Sequence, residues 1–248
     1  MKKLLGKLLA NNQISKRPFC FHSIGNMGRF SVDKQFFKEN IIRISEEFMN
    51  TYAKRLHITF DDGYSDNFEI ISWLLERGIN CTLFLPVGLI GSNAQRQTVI
   101  KNISKDRGVQ LHDQQFLNKS SIKILNELGC DLGAHTLFHD QVKEMQEWDF
   151  QQDCLNSRFL FECNGFDVKS FAFPYGRIHR DFSWRHVQIA SEHFGNVYSL
   201  HVENRYKNGA LLMGRIGLGV GDMKIWDQKV RSAALWYDRF LTIRDFCW

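Results

Sequence analysis

The sequence predicts an α/β fold in which parallel strands alternate with helices around a barrel, and three observations predict it. Seven short apolar runs rich in β-favouring residues recur along the chain, at 18–22, 55–60, 80–85, 130–134, 170–173, 196–200 and 210–215. Helix-length amphipathic segments lie between them or beyond them, at 33–51, 66–77, 120–128, 147–163, 180–194 and 223–244. Glycine follows four of these helices, as Gly78, Gly129, Gly165 and Gly195, where a residue free to turn left-handed ends a helix without strain. Seven strand–helix units come close to the eight-stranded barrel, a class whose active sites lie at the C-terminal ends of the strands.

Size and composition agree with one such domain. At 248 residues with 44% hydrophobic content, the chain can fill a sizeable core and is not disordered. Its 21 Phe and 3 Pro point to an aromatic interior with few rigid linkers. The net charge of +5 is scattered, and no basic run interleaves with aromatics, so nucleic acid is excluded as a partner. The six cysteines form no CxxC pair and read as reduced core thiols.

The domain is expected to span 18–222. The segment 1–17 reads as an amphipathic helix with Leu4, Leu5, Leu8 and Leu9 on one face, packed on its own domain or resting on a membrane surface. Lys7 interrupts the apolar stretch that an export signal requires, and no run reaches the roughly 20 apolar residues of a membrane span. The expected location is therefore cytoplasmic, with peripheral contact at the inner face of the membrane as an option. The segment 223–248 reads as an amphipathic helix covering the barrel. The polar stretch 91–118 breaks the strand–helix rhythm and reads as a long inserted loop, a lid or mobile segment.

Three motifs carry chemistry. In Thr59-Phe60-Asp61-Asp62-Gly63, two adjacent carboxylates end a strand before a glycine turn. Burying both without a cation is costly, whereas a bound divalent ion lets one carboxylate ligate and leaves the other free to take a proton. The residues alone do not say which aspartate is which. In His135-Thr136-Leu137-Phe138-His139, a helical turn after the strand would bring both imidazoles onto one face, within about 5–6 Å. One carboxylate with two histidines leaves coordination positions open, the mark of a catalytic metal. In Phe171-Ala172-Phe173-Pro174-Tyr175-Gly176, the chain leaves the ladder at the proline, and a freed N–H can stabilise an oxyanion.

In order and spacing these motifs resemble the first three motifs of the polysaccharide deacetylases, the NodB homology domain of carbohydrate esterase family 4. Upstream, Cys20-Phe21-His22, Phe30-Ser31-Val32 and Phe36-Phe37 are similar to the start of the branch acting on surface polysaccharides. The resemblance runs from about residue 19 to residue 220. It implies a distorted (β/α) barrel of about seven parallel strands. It also implies a metal-dependent hydrolase that removes N-acetyl groups from an amino sugar in a polysaccharide or in a nucleotide- or lipid-linked glycan precursor. Asp62, His135 and His139 match the ligands of a divalent ion, zinc first, with cobalt, nickel or manganese as alternatives. Asp61 matches the general base, and Tyr175 the residue donating a backbone N–H to the oxyanion.

The match fails at two places. The family's arginine two residues before the third-motif proline is replaced by Ala172, and the later Leu-x-His motif that supplies the general acid has no counterpart. Arg215, after a predicted strand, is a candidate to orient Asp61 instead. His22, His179 and His201 are candidates for the acid, with His22 best placed. His22, Pro174 and Arg215 are expected to line the substrate site. Two alternatives stay open: a non-catalytic carbohydrate-binding domain that kept the metal triad, and a sugar deformylase or O-deacetylase.

Overall fold

A computed structural model describes residues 17–25, 31–52, 56–201 and 204–219, with the backbone alone for 47–52. The helices expected within 1–17 and 223–248 lie outside the described residues, Arg17 apart. The strands are β1 (Phe19–Phe21), β2 (Ser23–Ile24), β3 (Ser31–Val32), β4 (His57–Asp61), β5 (Asn80–Leu85), β6 (Asp131–Ala134), β7 (Ser170–Ala172), β8 (Asn196–Tyr198), β9 (Arg205–Lys207), β10 (Ala210–Met213) and β11 (Ile216–Gly217). The helices are α1 (Lys34–Tyr52), α2 (Asn67–Leu75), α3 (Asn93–Arg107), α4 (Lys119–Glu127), α5 (Glu147–Cys163) and α6 (Trp184–His193).

Nine strands form one sheet in the order β11-β1-β4-β5-β6-β7-β8-β10-β9, while β2 and β3 form a small parallel pair beside it. Every pairing in the large sheet is parallel except β9 on β10. All seven apolar runs of the sequence are strands here: β1, β4, β5, β6, β7, β8 and β10. The fold is thus α/β, a parallel-rich sheet curled into a distorted barrel.

The last run shows why the sheet curls. Residues 210–215 read as one strand, but the ladder stops at Met213 and resumes at Ile216 on the opposite edge, against Phe19 of β1. The Gly214 N–H leaves the ladder and donates to Asn204 Oδ1 at 2.8 Å. Three Cα–Cα steps of about 3.8 Å cannot span more than roughly 11 Å, so the two edges lie close together. Arg215 sits in that seam with none of its surface exposed.

The expected loop at 91–118 is largely a helix. Ser92 accepts the Gln95 N–H, and the Gln95 side chain returns to the Ser92 N–H at 2.8 Å, a reciprocal cap that starts α3. Gly108, left-handed at φ 66°, ends it. Only Val99, Ile100 and Ile103 of α3 are buried, which is why its sequence reads as polar. A short 3-10 turn at Asp113–Gln115 follows, and Arg96 ties the segment down by donating to the Leu89 and Leu117 carbonyls at 3.0 and 2.8 Å.

Aromatic residues fill the interior as expected. Phe21 and Phe60 pack against Phe37 of α1, and Phe171 and Phe173 against Phe150 of α5, with Phe173 stacked on Phe182 at 3.8 Å. Cys20, Cys81, Cys130 and Cys154 are free and buried in this core, whereas Cys163 is exposed at the end of α5; Cys247 lies outside the described residues.

Candidate metal centre

The candidate residues gather at the C-terminal ends of the strands. Asp61 ends β4, His135 follows β6, His22 follows β1, Pro174 and Tyr175 follow β7, and Arg215 follows β10. Backbone strain gathers with them. Asp62, Thr136, His139 and Tyr175 all have positive φ, at 72°, 60°, 63° and 60°. Each non-glycine residue held there costs on the order of 1–3 kcal/mol, and such strain clusters at functional sites. Gly63 continues the turn at φ 74°, and a Cβ there would meet the Leu85 side chain at 2.5 Å. Only glycine fits this step, as the motif suggests.

The histidine pair forms differently from the sequence expectation. Residues 135–139 are not helical; two left-handed residues, Thr136 and His139, fold the segment back instead. The ring centroids still come within 5.2 Å. The turn is held from outside by backbone bonds from Val87 and Gly88 to the Thr136 and Leu137 carbonyls, at 3.1 and 2.8 Å. Asp153 of α5 accepts the Leu137 N–H at 2.8 Å.

The outer nitrogen of each imidazole is committed. His135 Nδ1 lies 2.7 Å from the Ala172 carbonyl, and His139 Nδ1 lies 2.9 Å from Asp106 Oδ2. Both partners accept, so both Nδ1 atoms carry the proton and both Nε2 atoms are left to face inward. They converge on Asp62 Oδ1, at 3.6 Å from His135 and 3.2 Å from His139. One ligand atom from each of Asp62, His135 and His139 lies within 4.8 Å of the others, and all three residues are buried. Asp62 Oδ1 is buried with no hydrogen-bond partner, while Oδ2 pairs with Arg107. Two nitrogen atoms and a bare carboxylate oxygen aimed at one point fit a divalent ion. Burial would lower His139, but Asp62 and Asp106 on either side outweigh it and lift the imidazole to about 9. A proton and a metal ion therefore compete for that Nε2. His135, near Asp61 and Asp62 but dominated by burial, falls to about 4.

Asp61 takes no part in this cluster. Its two oxygens accept from Arg215 Nη1 and Nη2 at 2.6 and 2.9 Å, and the Cys20 thiol lies 3.4 Å from Oδ2. Burial pushes the carboxyl up, but Arg215 and His135 hold it below its ordinary value. Arg215 also donates to Thr59 Oγ1 at 3.2 Å, and its guanidinium lies over the Phe84 ring at 5.0 Å. Phe84, Ala172 and Tyr198 form a small apolar cluster of their own. Ala172 thus stands in the wall beside the arginine that arrives from the seam.

The remaining candidates separate. His22 lies half-buried among Asp61, Asp62, Arg107 and Arg215, and burial first, then Arg107, lowers it to about 4. Pro174 is buried, its carbonyl accepting the Gly176 N–H at 2.7 Å. The Tyr175 ring lies 5.5 Å from that of His139. His179 is exposed, and His201 Nε2 accepts the Ile178 N–H at 2.9 Å, tying down the loop after Tyr175. Asp106, Arg107 and Asp153 escape the sequence reading, and Thr59, quoted in the first motif, carries no role there. The first two were legible only as the last turn of a capped helix ending in Gly108.

Asp153 gives a pH test of how the turn is held. Burial raises its carboxyl from 3.8 to about 7, so the native state favours the protonated form. Its stability is full below the unfolded value near 3.8 and is lost as pH rises through about 7. Asp153→Asn is expected to remove that loss, gaining up to about 4 kcal/mol over the parent at pH 8. Thermal unfolding of both proteins from pH 4 to 8 measures it; parallel curves would contradict it.

The fold and site define a class: a curled α/β barrel in which a buried aspartate and two histidines at the strand ends could hold a metal ion, with a second carboxylate beside them. The family model described as polysaccharide deacetylase matches residues 49–193, more than half of the chain. This chain belongs to the polysaccharide deacetylase family, the NodB homology domain of carbohydrate esterase family 4. No curated protein sequence matches it at a significant level. Among solved structures, it is similar to the Streptococcus pyogenes deacetylase PplD in complex with acetate, at TM-score 0.63 and 16% identity, covering 86% of this chain and 97% of that one. It is also similar to a family 4 carbohydrate esterase from Streptomyces lividans in complex with acetate, at TM-score 0.40 and 14% identity, over 73% and 88% of the two chains. A CE4 family pseudoenzyme from Bacillus anthracis matches at TM-score 0.41 and 13% identity, over 72% and 60%. At these identities the likenesses concern the fold alone. Among the described residues, no helix is long and apolar enough to cross a membrane.

Proposed function

We propose that this protein is a metal-dependent deacetylase that hydrolyses the N-acetyl group of an amino sugar in a polysaccharide or glycan precursor. One observation carries the reading: Asp61 stands beside the three-ligand cluster but outside it, ionised and held at both oxygens by Arg215. A structural metal site has no need of such a neighbour, whereas hydrolysis needs a base.

Asp62, His135 and His139 would hold the ion, zinc by the nitrogen-rich donor set. When bound, the ion supplies Lewis-acid polarisation of the acyl carbonyl and lowers the pKa of a water molecule. The protein's own residues do the rest. Asp61 accepts the proton of the attacking water, and Arg215 keeps that carboxylate ionised and aimed. The Tyr175 N–H, held in a left-handed turn after β7, donates to the oxygen as negative charge grows on it. Asp61, now protonated, returns the proton to the departing amine, so the missing Leu-x-His acid is not required. His22, held neutral at pH 7 by burial, and Pro174 are assigned contacts with the sugar.

The non-catalytic alternative draws on two absences, the third-motif arginine and the Leu-x-His motif; the Arg215–Asp61 pair speaks against the first only. The test is acetate release, read by mass spectrometry, from a panel of N-acetylated, O-acetylated and N-formylated sugars, free and nucleotide- or lipid-linked, with zinc supplied. N-linked acetate released by the parent protein is the expected result. Release only of formate or ester acetate would reassign the substrate, and no release from any member would contradict the reading.

A further inference from the structure

Two adjacent residues at the end of α3 reach the metal centre from outside it. Asp106 Oδ2 lies 2.9 Å from His139 Nδ1, and Arg107 pairs with Asp62 through Nη2 while its Nε lies 3.4 Å from the Tyr64 hydroxyl. One turn earlier, Asn102 donates to the Phe138 carbonyl at 2.8 Å and to Asp140 Oδ1 at 3.3 Å. The same helix therefore touches the histidine turn and the aspartate. Tyr64 in turn stacks on Phe116 at 5.3 Å, which fixes the far side of the guanidinium's pocket.

We propose that Asp106 and Arg107 are positioning residues of the metal centre, Asp106 by fixing His139 with Nε2 inward and Arg107 by engaging one oxygen of Asp62. Arg107 has two effects of opposite sign. It occupies Oδ2, so Asp62 offers only Oδ1 to a metal, and its positive charge close by opposes a dication. In the metal-free protein, the same charge helps to balance a fully buried carboxylate that otherwise has only the His139 and His135 imidazoles beside it. The centre is thus assembled before the metal arrives and holds the metal less tightly than its three ligands alone would. Asp106 acts in one direction only, since a carboxylate behind a ligating imidazole orients the ring and makes Nε2 a better donor.

This inference rests on the reading of Asp62, His135 and His139 as ligands, and the experiment separates the two. Zinc affinity is measured by competition with a chromogenic chelator, and thermal unfolding is measured on chelator-stripped protein. Arg107→Met is expected to bind zinc about tenfold more tightly while its stripped form melts several degrees lower. Arg107→Lys should move both readouts back towards the parent. A merely structural arginine would lower both, and an arginine outside the centre would move neither; either result overturns its role. Asp106→Ala is expected to weaken zinc binding about 10–100-fold, and unchanged affinity overturns that half. His135→Ala is the control: if it leaves zinc affinity intact, the metal centre itself has been misassigned, whatever the α3 variants do.

Discussion

Asp61→Asn is expected to abolish acetate release while leaving zinc bound at one ion per chain. The substitution keeps the shape of the side chain and leaves Asp62, His135 and His139 untouched, but an amide cannot take a proton from water. Loss of a positioned general base costs about 10²–10⁴ in rate. Here the loss is expected at or beyond the upper end, because the same residue is also assigned the return of the proton to the amine. The variant strands Arg215 with a neutral partner, so some loss of stability will accompany it. The measurement pairs metal content with turnover on the best substrate of the acetate panel. Full metal with no turnover supports the assignment, whereas normal turnover would move the base elsewhere.

Arg215→Met is expected to produce the second large effect, on stability and on pH dependence together. The guanidinium is wholly buried and binds both oxygens of a buried carboxylate. Removing one partner of such a pair typically costs about 3–5 kcal/mol, because the other charge is left uncompensated. The sign of the pH effect follows from the same geometry. Arg215 holds the Asp61 carboxyl below its ordinary value against burial; without it, burial raises the carboxyl. Because the base works only when ionised, the acid limb of the pH–rate profile must move to higher pH in the variant. Arg215→Lys keeps a charge but not the two-pronged contact, and should move the limb less. An acid limb that stays in place in Arg215→Met would contradict the positioning role.

How much of this was legible in the sequence varies with the distance over which each feature is decided. The seven parallel strands are local apolar runs with turn residues at their ends, and each appears where the pattern places it. Asp61, Asp62, His135 and His139 could be read because each pair is adjacent or nearly so in sequence and follows a strand. The means by which the histidines meet could not be read. Helical spacing and a turn with two left-handed residues bring i and i+4 equally close, and nothing in Thr136 or His139 announces a positive φ. Arg215 was legible as a candidate only through the gap at Ala172; its partner lies 154 residues away and meets it because the chain crosses the seam at Gly214. Helix α3 was misread because its interior carries just three buried apolar residues, although Ser92, Gln95 and Gly108 marked both its ends. With the helix went Asp106 and Arg107, whose role is visible only once α3 is laid against the histidine turn.

On the proposed reading, one divalent cation sits where Asp62 Oδ1 and the two inward-facing imidazole nitrogens converge. X-ray diffraction from zinc-loaded crystals, with data on both sides of the zinc absorption edge, tests it most directly. One strong anomalous peak is expected about 2.0–2.2 Å from each of those three atoms, with Asp61 outside the coordination sphere. A peak elsewhere, or zinc bound through Asp61, would contradict it.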